Sequence, residues 1–219
     1  MRSFLLLILA AIAFAQTPAR PTKENLGLVG DRFKPLAYAE MTPAQKTMID
    51  HLLSGERSGN LGGPFNVLLR SPEMGDLAQQ FGASMRFHAA MPTSARETVI
   101  IVTARFWMAQ FEWNAHKRAA LQAGVSPAIV DAIAAGKRPS GMDPDVETAY
   151  NFITELLKTK QVSDATFAAA KDRFGEKGVV DMIGLSGWYS MVSMALNVDR
   201  YPVANGQQPE LKPLANPIP

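Results

Sequence analysis

The sequence predicts an all-α domain, and three features of it say so. A small polar residue followed by proline recurs at Thr42-Pro43, Ser71-Pro72, Ser126-Pro127 and Asp143-Pro144. Each pair sets an N-capping side chain before a proline at the first helical position, where the missing N–H costs nothing and the fixed φ helps. Glycines at Gly55, Gly124, Gly136 and Gly175 supply the matching stops. Between these signals the apolar residues recur at helical spacing, with no sustained alternation of the kind a strand would show. The chain has 219 residues, 47% hydrophobic and 19% charged, which suits one domain with a real core.

Taken in order, residues 1–15 have the pattern of a signal peptide. Arg2 precedes the apolar run Phe4–Ile12, and Ala13-Phe14-Ala15 is a cleavage signal. A bilayer span needs about 20 apolar residues, so the run predicts export to the periplasm or beyond, with no stable membrane anchor after cleavage. Residues 16–40, with Pro18, Pro21 and Gly27, form an extended lead-in. The helical domain occupies residues 41–200. Its expected helices are Pro43–Ser54, Pro72–Ala89, Ala95–Ala123, Pro127–Ala135, Pro144–Lys158, Asp164–Phe174 and Val179–Asn197, with a short helical turn at Phe65–Leu69. Ser54–Pro64 is the longest internal loop, and loops of that kind are more often functional than core-forming. Residues 201–219 are dense in proline and read as a loosely attached tail or an arm onto a neighbouring subunit.

Composition removes several functions. The 22 basic and 20 acidic residues nearly cancel and form no basic cluster, so no nucleic-acid partner is expected. There is no cysteine, which excludes disulfides, thiolate metal sites and every thiol mechanism. An exported chain without disulfides must be stabilised by core packing or by oligomerisation.

The stretch Ser94–Gly124 carries the polar residues of interest. Ser94 and Glu97 have the spacing of a capping box. On one continuous helix at about 100° per residue, Thr103, Gln110, Asn114, Lys117 and Arg118 gather on a solvent face. Arg105, Glu112 and His116 fall within roughly 40° of one another on another side, among Ile101, Met108, Ala109 and Ala119. Charges on such a face are costly to bury unless they pair. They form either a structural Arg–Glu–His network or an acid/base couple, in which the carboxylate orients the imidazole and raises its pKa. Glu112 and His116 supply only half of a metal site, and His51 and His88 lie in other expected helices, so neither metal nor cofactor is expected. Trp107, Trp113, Trp188, Met182, Met191 and Met194 sit at core spacing. Gly62-Gly63 is a turn rather than a phosphate loop, and Ser186 lacks the strand-to-helix setting of a nucleophile elbow.

The run RETVIIVTARFWMAQFEWNAHKRAALQAG, with GPFNVLLRSPEMGDLAQQFGASMRF and MPTSARE upstream and ETAYNFITELLKTKQVSDATFAAAKDRFGEKGVVDMIGLSGWYSMVSMALN downstream, resembles the carboxymuconolactone decarboxylase family, which includes the alkylhydroperoxidase D-like proteins. The resemblance covers about Gly63–Asn197. It implies an alkylhydroperoxidase D-like helical fold, assembled as a trimer or hexamer with sites near subunit interfaces. It also implies two helices in place of one, with a break near Met108–Gln110, so that Glu97 folds back toward His116 and Arg105 leaves the group. The family's catalytic Glu and His map onto Glu97 and His116, and its two cysteine positions onto Ala109 and Glu112. A thiol peroxidase mechanism is thereby excluded. The decarboxylase branch implies a cofactor-independent lyase on a small carboxylate or lactone, with a catalytic group of Glu112 and His116 handling protons, Glu97 orienting His116, and Arg105 holding the substrate. The competing expectation is a catalytically silent oligomeric protein that binds or scaffolds and keeps only the fold.

Overall fold

The computed structural model describes residues 20–57, 61–203 and 208–214; the expected signal peptide at 1–15 lies outside them. Among the described residues, eight α-helices follow a short 3-10 turn at Tyr38–Glu40: α1 (Pro43–Ser54), α2 (Phe65–Leu68), α3 (Pro72–His88), α4 (Thr93–Phe106), α5 (Gln110–Gln122), α6 (Pro127–Ala134), α7 (Pro144–Thr159) and α8 (Asp164–Asp199). No strand occurs among the described residues, so the chain is all-α.

The capping chemistry accounts for most of the helix starts. Thr42 accepts from the Gln45 N–H while the Gln45 side chain accepts from the Thr42 N–H, a complete capping box. Ser126 and Asp143 likewise cap α6 and α7. Ser71 does not cap α3, although Pro72 still opens that helix. The box expected at Ser94 is absent as well. Helix α4 starts two residues earlier than expected, at Thr93, with Pro92 at the N-cap, and this frees the Glu97 side chain for the interior.

Helix α4 is the centre of the packing. Ala95, Val99, Ile100, Ile101 and Ala104 are fully buried, and the helix lies against α5, α7 and α8. A helix apolar on all sides has to be covered on all sides. Thr103, assigned to a solvent face, is in fact buried, bonding to the Val99 carbonyl and to the Ser186 hydroxyl at 3.2 Å.

The long central stretch is two helices. Met108 has φ 54°, its N–H donates to the Arg105 carbonyl at 3.1 Å, and the Ala109 N–H reaches back to the Ala104 carbonyl at 2.9 Å. That pair of bonds is a Schellman motif, the same device that ends α5 at Gly124 and α6 at Gly136. Here methionine occupies the left-handed position that glycine usually takes, at a cost of about 1–2 kcal/mol.

The C-terminal segment is not a loose tail where it is described. Leu211 is buried, and its N–H and carbonyl pair with the Gln110 side-chain amide at 3.0 and 2.8 Å. Glu210 bonds Lys117 at 2.7 Å and Trp113 Nε1 at 3.3 Å. Arg105 Nη2 donates to the Lys212 carbonyl at 2.8 Å. The polar side of α5 thus holds residues 210–212 of the same chain. The lead-in is fastened too, since the buried Asp199 carboxylate accepts from the Phe33 N–H at 2.8 Å and from the Asp31 N–H at 3.2 Å.

Helix α8 is long and apolar enough to cross a membrane by length and composition, but it bends at Gly175 and packs on α3, α4 and α7. Trp113, Trp188 and Met182 are core as expected, Trp107 and Met191 are half-buried, and Met194 is exposed because it falls on the outer side of α8. Trp188 lies directly against Gly82 of α3, where an added Cβ would come within 2.3 Å of the indole. Substituting Gly82→Ala therefore forces the two helices apart. Urea unfolding should show a loss of about 1–3 kcal/mol, and an unchanged midpoint would contradict the contact.

Candidate functional site

The interruption at Met108 turns α5 back along α4, and this brings Glu97 and His116 together. His116 Nδ1 lies 2.6 Å from Glu97 Oε2, both side chains being about 95% buried. With Glu97 accepting from Nδ1–H, the imidazole is held in one tautomer and its Nε2 is presented to Glu112 and Arg86. Glu112, one turn earlier on α5, places Oε2 3.4 Å from Nε2. Arg86 of α3 places Nη1 3.5 Å from the same nitrogen and 3.4 Å from the Tyr189 hydroxyl of α8. The Tyr189 ring stands edge-on to the imidazole with centroids 4.8 Å apart.

His116, Glu112, Arg86 and Tyr189 line a cavity of about 310 Å³, with Glu97 behind His116. Phe65, Phe87, Phe111 and Trp188 also line it, with Arg57 from the loop after α1. The volume lies at the lower end of the range for small-molecule sites, about 300–1,000 Å³, and the lining of aromatic rings with a few convergent polar groups is typical of them. Among the described residues, no three His, Asp or Glu side chains are disposed to hold a metal ion.

The electrostatics act chiefly on Glu112 and Tyr189. Burial pushes the Glu112 carboxyl above its ordinary value, and the nearby His116, Arg86 and Arg57 pull in the other direction without overcoming it. Tyr189 is pushed up strongly, again by burial, and stays a neutral hydroxyl. Glu112 is therefore held toward its neutral acid form, with Oε2 3.4 Å from the His116 Nε2, and can present a proton donor to the cavity.

Of the residues singled out from sequence, Glu97, Glu112 and His116 converge. Arg105 does not. It stands at the Schellman turn, bonded to the Lys212 carbonyl and to the Met108 sulfur, and is not among the residues lining the cavity. Its grouping with Glu112 and His116 required one straight helix, and the break at Met108 removes it. His51 and His88 pair with Asp76 and Glu56 at the surface. Arg57, Arg86 and Tyr189 were not anticipated. The only advance signal for Arg57 was its place in the long glycine-rich loop, and Arg86 and Tyr189 looked like ordinary members of amphipathic helices.

The chain matches no protein-family model, and no curated protein matches it.

Because Glu112 is more readily protonated in the folded chain than in the unfolded one, its contribution to stability is complete below pH 4.5 and declines as pH rises through its raised value. Glu112→Gln should remove that decline. Relative to the variant, the wild type should lose up to about 1.4 kcal/mol per pH unit above the ordinary carboxylate pKa, measured by denaturant titrations at successive pH values. Parallel stability profiles for the two proteins would show that Glu112 ionises normally.

Proposed function

We propose that this chain is an exported, cysteine-free member of the carboxymuconolactone decarboxylase family, with the alkylhydroperoxidase D-like fold and a trimeric or hexameric assembly. Its activity is that of a cofactor-independent acid/base lyase, decarboxylase-type, on a small carboxylate or lactone. The observation that carries this reading is the buried Glu97–His116–Glu112 chain, of which His116 and Glu112 line a cavity.

In a decarboxylation of this kind the bond from the substrate carbon to its carboxylate breaks, and CO2 leaves without the bonding pair. That pair stays on the carbon and delocalises onto the conjugated lactone oxygen. A proton held by the Glu112–His116 couple then moves to the carbon, and solvent restores it. Glu97 keeps the imidazole oriented throughout, a positioning role. Arg86, beside Nε2, stabilises the negative charge that develops before the proton arrives. The role that the resemblance gave to Arg105 falls to the cations of the cavity. A catalytically silent scaffold would be expected to fill this space with side chains, so the open cavity favours the enzyme.

The test is CO2 release from a panel of carboxylated lactones. Wild-type turnover should fall by about 10²–10⁴-fold in His116→Gln, while Glu97→Gln should shift the pH–rate profile with a smaller loss. If no lactone acid is turned over, or if His116→Gln is as active as wild type, the lyase reading fails.

A further inference from the structure

Arg57 carries buried N–H groups, at Nε and Nη2, that the described residues leave without an acceptor. Its guanidinium is packed among rings, 5.6 Å from the Trp188 centroid, 5.7 Å from Phe65 and 5.8 Å from Phe87. Cation–π contacts of this kind keep the group in place but give its N–H groups no acceptor. A buried donor of a charged group left without an acceptor is costly, and the cost is offset when an anion supplies the missing bonds. Nε and Nη2 share one edge of the planar guanidinium, the edge whose two parallel N–H groups match the two oxygens of a carboxylate.

The charge balance of the cavity gives the number of negative charges required. Glu97 offsets Arg86, which is close to His116, and the Glu112–His116 couple is neutral when it shares one proton. Glu56 is committed to His88 at the surface, 3.1 Å away. Arg57 is left as the cation lining the cavity whose buried N–H groups have no hydrogen-bond partner among the described residues. The walls give the shape. Phe65, Phe87, Phe111 and Trp188 present flat apolar faces around about 310 Å³, which is room for a single-ring ligand.

We propose that the Arg57 guanidinium anchors the ligand by hydrogen bonds to its carboxylate, and that the site takes a flat, conjugated monoanion of single-ring size, a monocarboxylate in preference to a dicarboxylate. The inference rests on the reading of this cavity as the substrate site and adds to it the class of substrate. The same positive charge serves before and after the chemistry, offsetting the carboxylate on entry and the enolate oxygen once CO2 has gone.

Benzoate is a suitable probe because it is a flat monoanion that the proposed reaction leaves intact. Isothermal titration of the full chain should give one benzoate site per chain. Benzamide, of the same shape without the charge, and phthalate, with a second charge, should each bind at least about tenfold more weakly. Arg57→Met should weaken benzoate by a similar factor, and Arg57→Lys, which keeps the charge without the fork, should fall between Met and wild type. Should the Arg57 variants fail to fold, the benzoate–benzamide–phthalate comparison on wild type decides alone. Equal binding of benzoate and benzamide, tighter binding of phthalate, or benzoate affinity unchanged in Arg57→Met would overturn the proposal. His116→Gln separates the two readings. Turnover that survives this substitution sinks the acid/base mechanism while leaving the anchor standing, whereas benzoate binding indifferent to Arg57 sinks the anchor while leaving the mechanism.

Discussion

The hydrogen bond between Glu97 and His116 is the contact on which the rest of the site depends. It is 2.6 Å long, it joins two side chains some 95% removed from water, and it connects α4 to α5 across their turn. A carboxylate and an imidazole in that position are tolerated only together. Removing one partner of such a buried pair costs about 3–5 kcal/mol, because the other is left without its bond. The bond therefore fixes three things at once: the angle between the two helices, the tautomer of the imidazole, and the direction in which Nε2 is offered.

The pair can form only because the chain reverses within a few residues. Ala104 and Arg105 carbonyls receive the N–H groups of Ala109 and Met108, and α5 then starts with Gln110. The strain at Met108 is local, while the gain is distributed. Arg105 and Gln110, which flank the turn, bind the backbone of Leu211 and Lys212, so the C-terminal segment is fastened to the outside of the reversal. The cavity lies on the other side of α5, lined by Phe111, Glu112, Ala115 and His116. One face of a short helix thus holds the C-terminal segment, and another lines the cavity with Glu112 and His116.

That division explains which parts were legible in the sequence. Helix type and most boundaries follow from caps and glycines, which act locally; Thr42, Ser126 and Asp143 cap as their residue types suggest, and Gly124 and Gly136 end their helices in the left-handed conformation. Met108 adopts the same conformation with a residue that has no preference for it, so nothing local announced the turn, and only the resemblance placed a break there. The pairing of Glu112 with His116 survived because it is a one-turn spacing within α5, whereas the grouping with Arg105 needed the phase to persist through the break. Arg57 and Arg86 arrive from loop and helix positions separated from α5 by tertiary packing alone, and no periodicity encodes that. Thr103 and Gln110 were misassigned for a related reason. A polar face looks like a solvent face until another segment of the chain is known to cover it.

The cavity as a whole couples charge to proton position. In a low-dielectric enclosure each added charge shifts the balance between neutral Glu112 with neutral imidazole and carboxylate with imidazolium. With Arg57 and Arg86 lining the cavity, an extra proton on this wall is opposed by two guanidiniums. On the proposed reading, an anion against Arg57 cancels that opposition and strengthens the hold of the wall on its proton, so the group that binds the anion also sets the acid strength of the site.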